Sequence, residues 1–111
     1  MTYRVVFTDA AVQDLDEIAD YISNLHSVLK ALYVAREIRK RVETLKVFPD
    51  RGTQLPELAD LGAGSKMEYR QLHWKPYRIV YFVSGRVVSI LLIADGRRDM
   101  PGLLLKRLVQ P

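Results

Sequence analysis

The chain has 111 residues, no cysteine, two histidines, 49% hydrophobic residues and a formal net charge of +4 at pH 7. That length and composition predict one domain with one core over residues 1–111, and exclude a disulfide framework, a thiol nucleophile and a thiolate metal site. The charge is lopsided: residues 1–65 hold eight Lys/Arg against ten Asp/Glu, whereas residues 66–111 hold nine against three, a balance that favours an acidic partner.

Residues 2–7, TYRVVF, read as a first strand because β-branched and aromatic residues dominate. Thr8 or Asp9 then offers an N-cap for a helix whose Ala11, Leu15, Ile18, Ala19, Ile22 and Leu25 recur at the spacing of one buried stripe. Asp14, Asp16, Glu17 and Asp20 lie off that stripe and read as a solvated face beside the positive end of the helix. After a break at 24–27 a second helix is expected over residues 28–47, with Ala31, Ala35, Ile38, Val42 and Leu45 as its seam and small residues early that permit close helix approach. Its outer face carries Lys30, Arg36, Arg39, Lys40, Arg41 and Lys46 against Glu37 and Glu43, a charged exterior with no interleaved aromatics to mark it as a nucleic-acid stripe.

Phe48-Pro49 ends that helix, and an irregular loop is expected up to Lys66. Within it LGAGS lacks the GK[ST] ending of a phosphate loop. Three strands follow: residues 66–73, Tyr77 to Val83, and Arg86 to Ile93, the last two separated by Ser84-Gly85 as a tight hairpin turn. Arg70 is placed to share a surface with another basic side chain across the strands. Arg78, an arginine between apolar neighbours, needs a partner or solvent and is the first functional candidate. His73, Trp74 and Lys75 cluster at a turn, where Trp74 either stacks on a target or closes one end of the core. His73 has no nearby carboxylate in sequence to orient it as a catalytic acid. Asp95-Gly96-Arg97-Arg98-Asp99 forms a charged turn, and Asp99 caps a short helix rich in leucine, Leu103, Leu104, Leu105 and Leu108. A helix of about ten residues is not stable alone in water, so this one must dock on its own sheet or on a partner.

The longest apolar run, residues 87–94, contains Ser89 and falls far short of the roughly 20 residues of a membrane span. The first residues lack the order of a secretion signal, so a cytoplasmic protein without membrane contact is expected. His26 and His73 offer little for a metal, and no cofactor is expected.

The order strand, helical hairpin, loop and three strands, together with YRxL, PYRIVYFV and the closing DGRRD before a leucine-rich segment, resembles the ParE/RelE superfamily of toxins over nearly the whole chain. The resemblance implies an α+β fold: an N-terminal strand, a helical hairpin, a three-stranded antiparallel meander completing a four-stranded sheet, and a short terminal helix. It also implies the toxic half of a type II toxin–antitoxin pair, of the kind associated with plasmid stabilisation. Such a toxin forms a hetero-oligomer with a cognate ParD- or RelB-like antitoxin that wraps it.

Two branches compete within that resemblance. RelE-like members cleave mRNA on the ribosome, and by that pattern Arg70, Arg78 and Arg98 would hold the phosphate. The expected lysine position falls at Tyr69 or Gln71, and the expected tyrosine falls near Leu104, which cannot move a proton. ParE-like members block DNA gyrase by surface contact, and the DGRRD turn and leucine-rich end look more like this branch. On that reading the target-binding residues are Arg70, His73, Trp74, Lys75, Arg97, Arg98, Leu104, Leu105 and Leu108. A third reading is an inactive domain that only binds its antitoxin.

Overall fold

Thr8 opens the first helix as its side chain predicts: Oγ1 accepts a hydrogen bond from the Ala11 N–H at 3.1 Å, satisfying one of the amides left unpaired at a helix start. In the computed structural model, which describes residues 2–59 and 69–109, the elements run β1 (Arg4–Phe7), α1 (Asp9–Leu25), α2 (Val28–Glu43), β2 (Thr53–Gln54), α3 (Pro56–Ala59), β3 (Tyr69–Trp74), β4 (Tyr77–Ser84), β5 (Val87–Asp95) and α4 (Met100–Val109). Ser27 caps α2 in the same way as Thr8 caps α1. α2 ends at Glu43, and a single 3-10 turn, Thr44–Lys46, completes what the sequence reads as one helix.

The strands lie in the order β1-β5-β4-β3-β2. β1 is parallel to β5, and every other pairing is antiparallel. The α+β architecture is the expected one, with one strand more than the four expected. β2 pairs Thr53 and Gln54 with Gln71 and Arg70 inside the loop expected to be irregular, which also contains α3. LGAGS and the expected first residues of the third strand, 66–68, lie outside the described residues.

The hairpin turn is Gly85-Arg86 and not Ser84-Gly85, because Ser84 still pairs with Val87. Gly85 takes the first loop position at φ 59°, where a Cβ would be strained. The β3–β4 connection is equally short, Lys75-Pro76 between paired Trp74 and Tyr77, and there a lysine takes φ 54°.

Both faces of the sheet are covered. α1 and α2 pack Ala11, Leu15, Ile22, Ala31, Val34, Ile38 and Val42 on one face, against Leu72, Ile79, Tyr81, Val88, Ile90 and Ile93. On the other face Leu55, Met100 and Leu104 meet Val80, Leu91, Leu92 and Ala94. The register slips between Val80 and Tyr81, which pair with Leu92 and Ile90. Leu91 is the extra residue, so Leu91 and Leu92 both face α4 and the alternation of β5 resumes at Ile93.

Two expected seam positions move. Leu25 is exposed, and Val34 is buried where Ala35 is only partly so. Tyr81, fully buried, donates to the Pro49 carbonyl at 2.7 Å and accepts from the Gly52 N–H at 2.9 Å, tying the loop after α2 to the core.

Candidate functional site

The sheet register decides which of the predicted basic residues can act together. Paired residues project to the same face, and Arg70 pairs with Tyr81 while Arg78 pairs with His73. Arg70 therefore lies on the α1/α2 face and Arg78 on the α3/α4 face. Arg70 has an aromatic cross-strand neighbour, not the basic one expected; its Nη1 donates to the Gly52 carbonyl at 2.8 Å and bridges towards Asp50.

Arg78 is buried, and the charge is fully matched. Its Nη1 and Nη2 donate to the two carboxylate oxygens of Glu57 at 2.7 and 2.8 Å, and its Nε donates to Gln71 Oε1 at 2.5 Å. This fork-to-fork geometry holds the Glu57 carboxyl below its ordinary range, the Arg78 hydrogen bonds outweighing the opposing effect of burial. A phosphate reaching Arg78 would have to displace Glu57. Glu57 lies in the segment read as irregular loop, and no sequence pattern marked it as a partner.

His73 is exposed on β3, and Lys75 is exposed in the turn. Trp74 instead closes the core. It is buried, lies edge-on to Tyr33 with ring centroids 5.9 Å apart, is stacked with Tyr77 at 6.2 Å, and has the Arg41 guanidinium over its ring at 4.9 Å. Arg41 is thus half-buried on the flank of α2 rather than on its outer face.

The DGRRD turn sits at the end of β5. Arg97 is exposed and chelates Asp95 through Nε at 2.9 Å and Nη2 at 2.5 Å, which lowers the Asp95 carboxyl below its ordinary range. Arg98 is exposed beside it. The two arginines, Glu17, Tyr21, Tyr77 and Asp95 help to line a groove of about 380 Å³ between α1 and the β5 edge. Burial, with the nearby Asp95 charge, raises the Tyr77 hydroxyl above its usual value, so Tyr77 stays protonated and does not serve as a general base. Asp99 caps α4 as expected, accepting from the Gly102 N–H at 3.2 Å. Of the three leucines expected to bind a target, Leu104 is buried on the sheet, Leu108 packs beside it and Leu105 is exposed.

α4 is held down by a pair that sequence reasoning missed. Arg107 donates twice to Asp14, at 2.7 and 2.9 Å, and once to the Leu91 carbonyl at 2.6 Å, while Asp14 Oδ2 accepts from the Ile93 N–H at 3.0 Å. β1 pairs with β5 only as far as Ile90, so these two side chains take over the strand edge where β1 stops. Asp14 looked like one more acid on a solvated helix face.

The outward surface of α2, opposite its buried stripe, divides along its length. Val28, Leu29 and Leu32 are exposed in the first half, and Arg36, Arg39 and Lys40 are exposed in the second. Large exposed side chains grouped in this way mark a protein-binding surface.

The chain is thus a small α+β domain, a sheet covered on both faces, with an apolar-to-basic surface on the outward side of α2. The family described as ParE toxin of type II toxin-antitoxin system, parDE, matches residues 5–100, and the chain belongs to that family. A solved structure described as the chromosomal ParDE TA system from P. aeruginosa superposes with a TM-score of 0.65 at 24% identity, over 85% of this chain and 96% of that one; this likeness shows the fold. No curated protein matches the chain. Among the described residues no helix is long and apolar enough to cross a membrane.

Proposed function

We propose that this ParE-family toxin acts in the cytoplasm by binding and inhibiting DNA gyrase, and that a ParD-like antitoxin neutralises it in a hetero-oligomer. The observation that carries the reading is the fate of the arginines a ribonuclease would need. Arg70 and Arg78 project from opposite faces of the sheet, and Arg78 is already occupied by Glu57. That arrangement favours recognition over strand cleavage, which needs a phosphate clamp and a proton-transfer group converging on one point.

The target-binding surface on this reading is the end of the molecule with Arg97 and Arg98, extended by exposed Leu105 of α4. The antitoxin is assigned to the outward face of α2. Its segment would lay apolar side chains on Val28, Leu29 and Leu32 and acidic ones on Arg36, Arg39 and Lys40.

The test is a gyrase supercoiling assay run beside an mRNA cleavage assay on translating ribosomes. Blocked supercoiling with intact mRNA supports gyrase inhibition. Cleaved mRNA with normal supercoiling overturns it, and would require Glu57 to leave Arg78.

A further inference from the structure

β1 pairs with β5 as far as Ile90, and among the described residues no other strand follows it along that edge. Each residue of a strand turns its N–H and C=O to the same edge, and successive residues alternate. Ala94 pairs with Arg78, and the Gly96 N–H reaches the Pro76 carbonyl at 2.7 Å, so both face β4. Ile93 faces the other way, since its N–H donates to Asp14, and the Ile93 carbonyl and the Asp95 N–H therefore point along the lane of β1. Asp14 and Arg107 fill that lane up to the Ile93 N–H. Beyond it, neither the Ile93 carbonyl nor the Asp95 N–H makes a hydrogen bond among the described residues.

Ile93 and Ala94 are only 2% and 1% exposed. Main-chain groups in so enclosed a place nearly always have partners, so an open acceptor and an open donor one residue apart call for one. Two concavities, of about 380 and 200 Å³, follow the lane and share Asp14, Glu17 and Arg98 as walls. The larger is lined by Ile93, Ala94 and Asp95 themselves, with Ile18 adding an apolar wall from α1; the smaller lies between α1 and α4, against Leu92 and Leu103.

The charges along the lane balance. Asp14 is paired with Arg107 and Asp95 with Arg97, which leaves Glu17 and Arg98, one of each sign. A phosphate backbone would meet as much repulsion as attraction there, whereas an uncharged main chain meets neither. One residue of an extended chain also carries the required pair, an N–H for the Ile93 carbonyl and a C=O for the Asp95 N–H, as in a parallel bridge. Arg97 and Arg98, assigned above to the target surface, line the same groove, so the two sites are continuous. We propose that this lane takes an extended segment of the target protein, which adds to the edge of β5 beyond the end of β1. The identity of that target rests on the gyrase reading.

The full chain is studied free and bound to intact gyrase by amide exchange resolved to single residues. The Asp95 amide should exchange freely in the free chain and at least about tenfold more slowly in the complex. In parallel, E17W lays an indole across the shared wall, and the control D16W places the same ring at an exposed position that lines neither groove. E17W should bind gyrase at least about tenfold more weakly than D16W does. A complex that forms while Asp95 still exchanges freely overturns the proposal and leaves gyrase inhibition standing. Equal binding by E17W and D16W overturns it in the same way, as does an Asp95 amide already protected in the free chain. Gyrase that binds none of the three proteins overturns the gyrase reading and this one together. Should E17W fail to fold, the exchange of Asp95 in the wild-type complex decides alone.

Discussion

Replacing Arg107 by alanine should loosen α4 and the far end of β5 together. Three hydrogen bonds at 2.6 to 2.9 Å disappear, and the Asp14 carboxylate and the Leu91 carbonyl lose a common partner. The side chains are mostly enclosed, at 18% and 13% exposure for Arg107 and Asp14, so water only partly replaces what is lost. Breaking a buried ion pair on one side costs about 3–5 kcal/mol. Allowing for residual exposure and for the Ile93 N–H that Asp14 keeps, about 2–4 kcal/mol is expected, which is roughly 10–20 °C in Tm for a domain of this size. Thermal and urea unfolding of the wild type, D14A, R107A and the double variant would measure it. The double variant should be less destabilised than the two singles added, with a coupling of at least about 1.5 kcal/mol. Amide exchange in R107A should rise at Ile93 and along α4. A loss in R107A no larger than in a surface control such as R36A, with singles that simply add, would refute the latch.

The remaining predictions concern the core, one turn, the half-buried Glu57 carboxylate and the surface proposed for the antitoxin. Gly52→Ala should cost about 1–3 kcal/mol in urea unfolding, since the new Cβ would sit 2.5 Å from Tyr81 Oη and 2.9 Å from the Gln71 carbonyl, which is backbone and cannot yield. Lys75→Gly should raise stability by about 1 kcal/mol, because φ 54° is strained for lysine; an unchanged Tm would show that the turn carries no such strain. Glu57 has a folded-state pKa below its unfolded one, so its stabilisation is present above the unfolded value and is lost as pH falls through the folded value. Acid unfolding of E57Q should therefore lose part of its pH dependence below the ordinary carboxylate range, and a curve parallel to wild type would count against the pairing. L29D and L32D alter side chains that are 79% and 61% exposed, so stability should move by no more than about 0.5 kcal/mol while antitoxin affinity falls at least about tenfold.

Periodicity made the helices legible, and β-branched runs with a glycine turn made the β4–β5 hairpin legible, because both signals are local. What escaped was set by pairs distant in the chain. β2 has two residues and gains its strand character only from β3, so no run of its own could announce it. The bulge at Leu91 turns two consecutive leucines to one face, and strict alternation cannot express that. Arg78 stood out as a buried charge in search of a partner, yet Glu57 is separated from it by 21 positions and lies on a four-residue helix. Trp74 was open between a target contact and the end of the core; the rings of Tyr33 and Tyr77 and the Arg41 guanidinium put it in the core. The resemblance that singled out Arg70, Arg78 and Arg98 could not say which face each occupies. Strand register does that, and it separates the first two.

The parallel pairing of β1 with β5 joins Arg4 to Val87 and Phe7 to Ile90, so the first strand waits for the last. During synthesis α1 and α2 emerge with only β1 of the sheet that faces them, the interior strand β5 with Val88, Ile90 and Ile93 coming last. Contacts so distant in sequence also slow the search for the native state once the chain is free. The nascent polypeptide is therefore an incomplete sheet for most of its translation, and the surface around Arg97 and Arg98 comes into being only when synthesis of β5 is over. Any contact that uses that surface, including the one proposed above, has to wait until β5 has been made and paired.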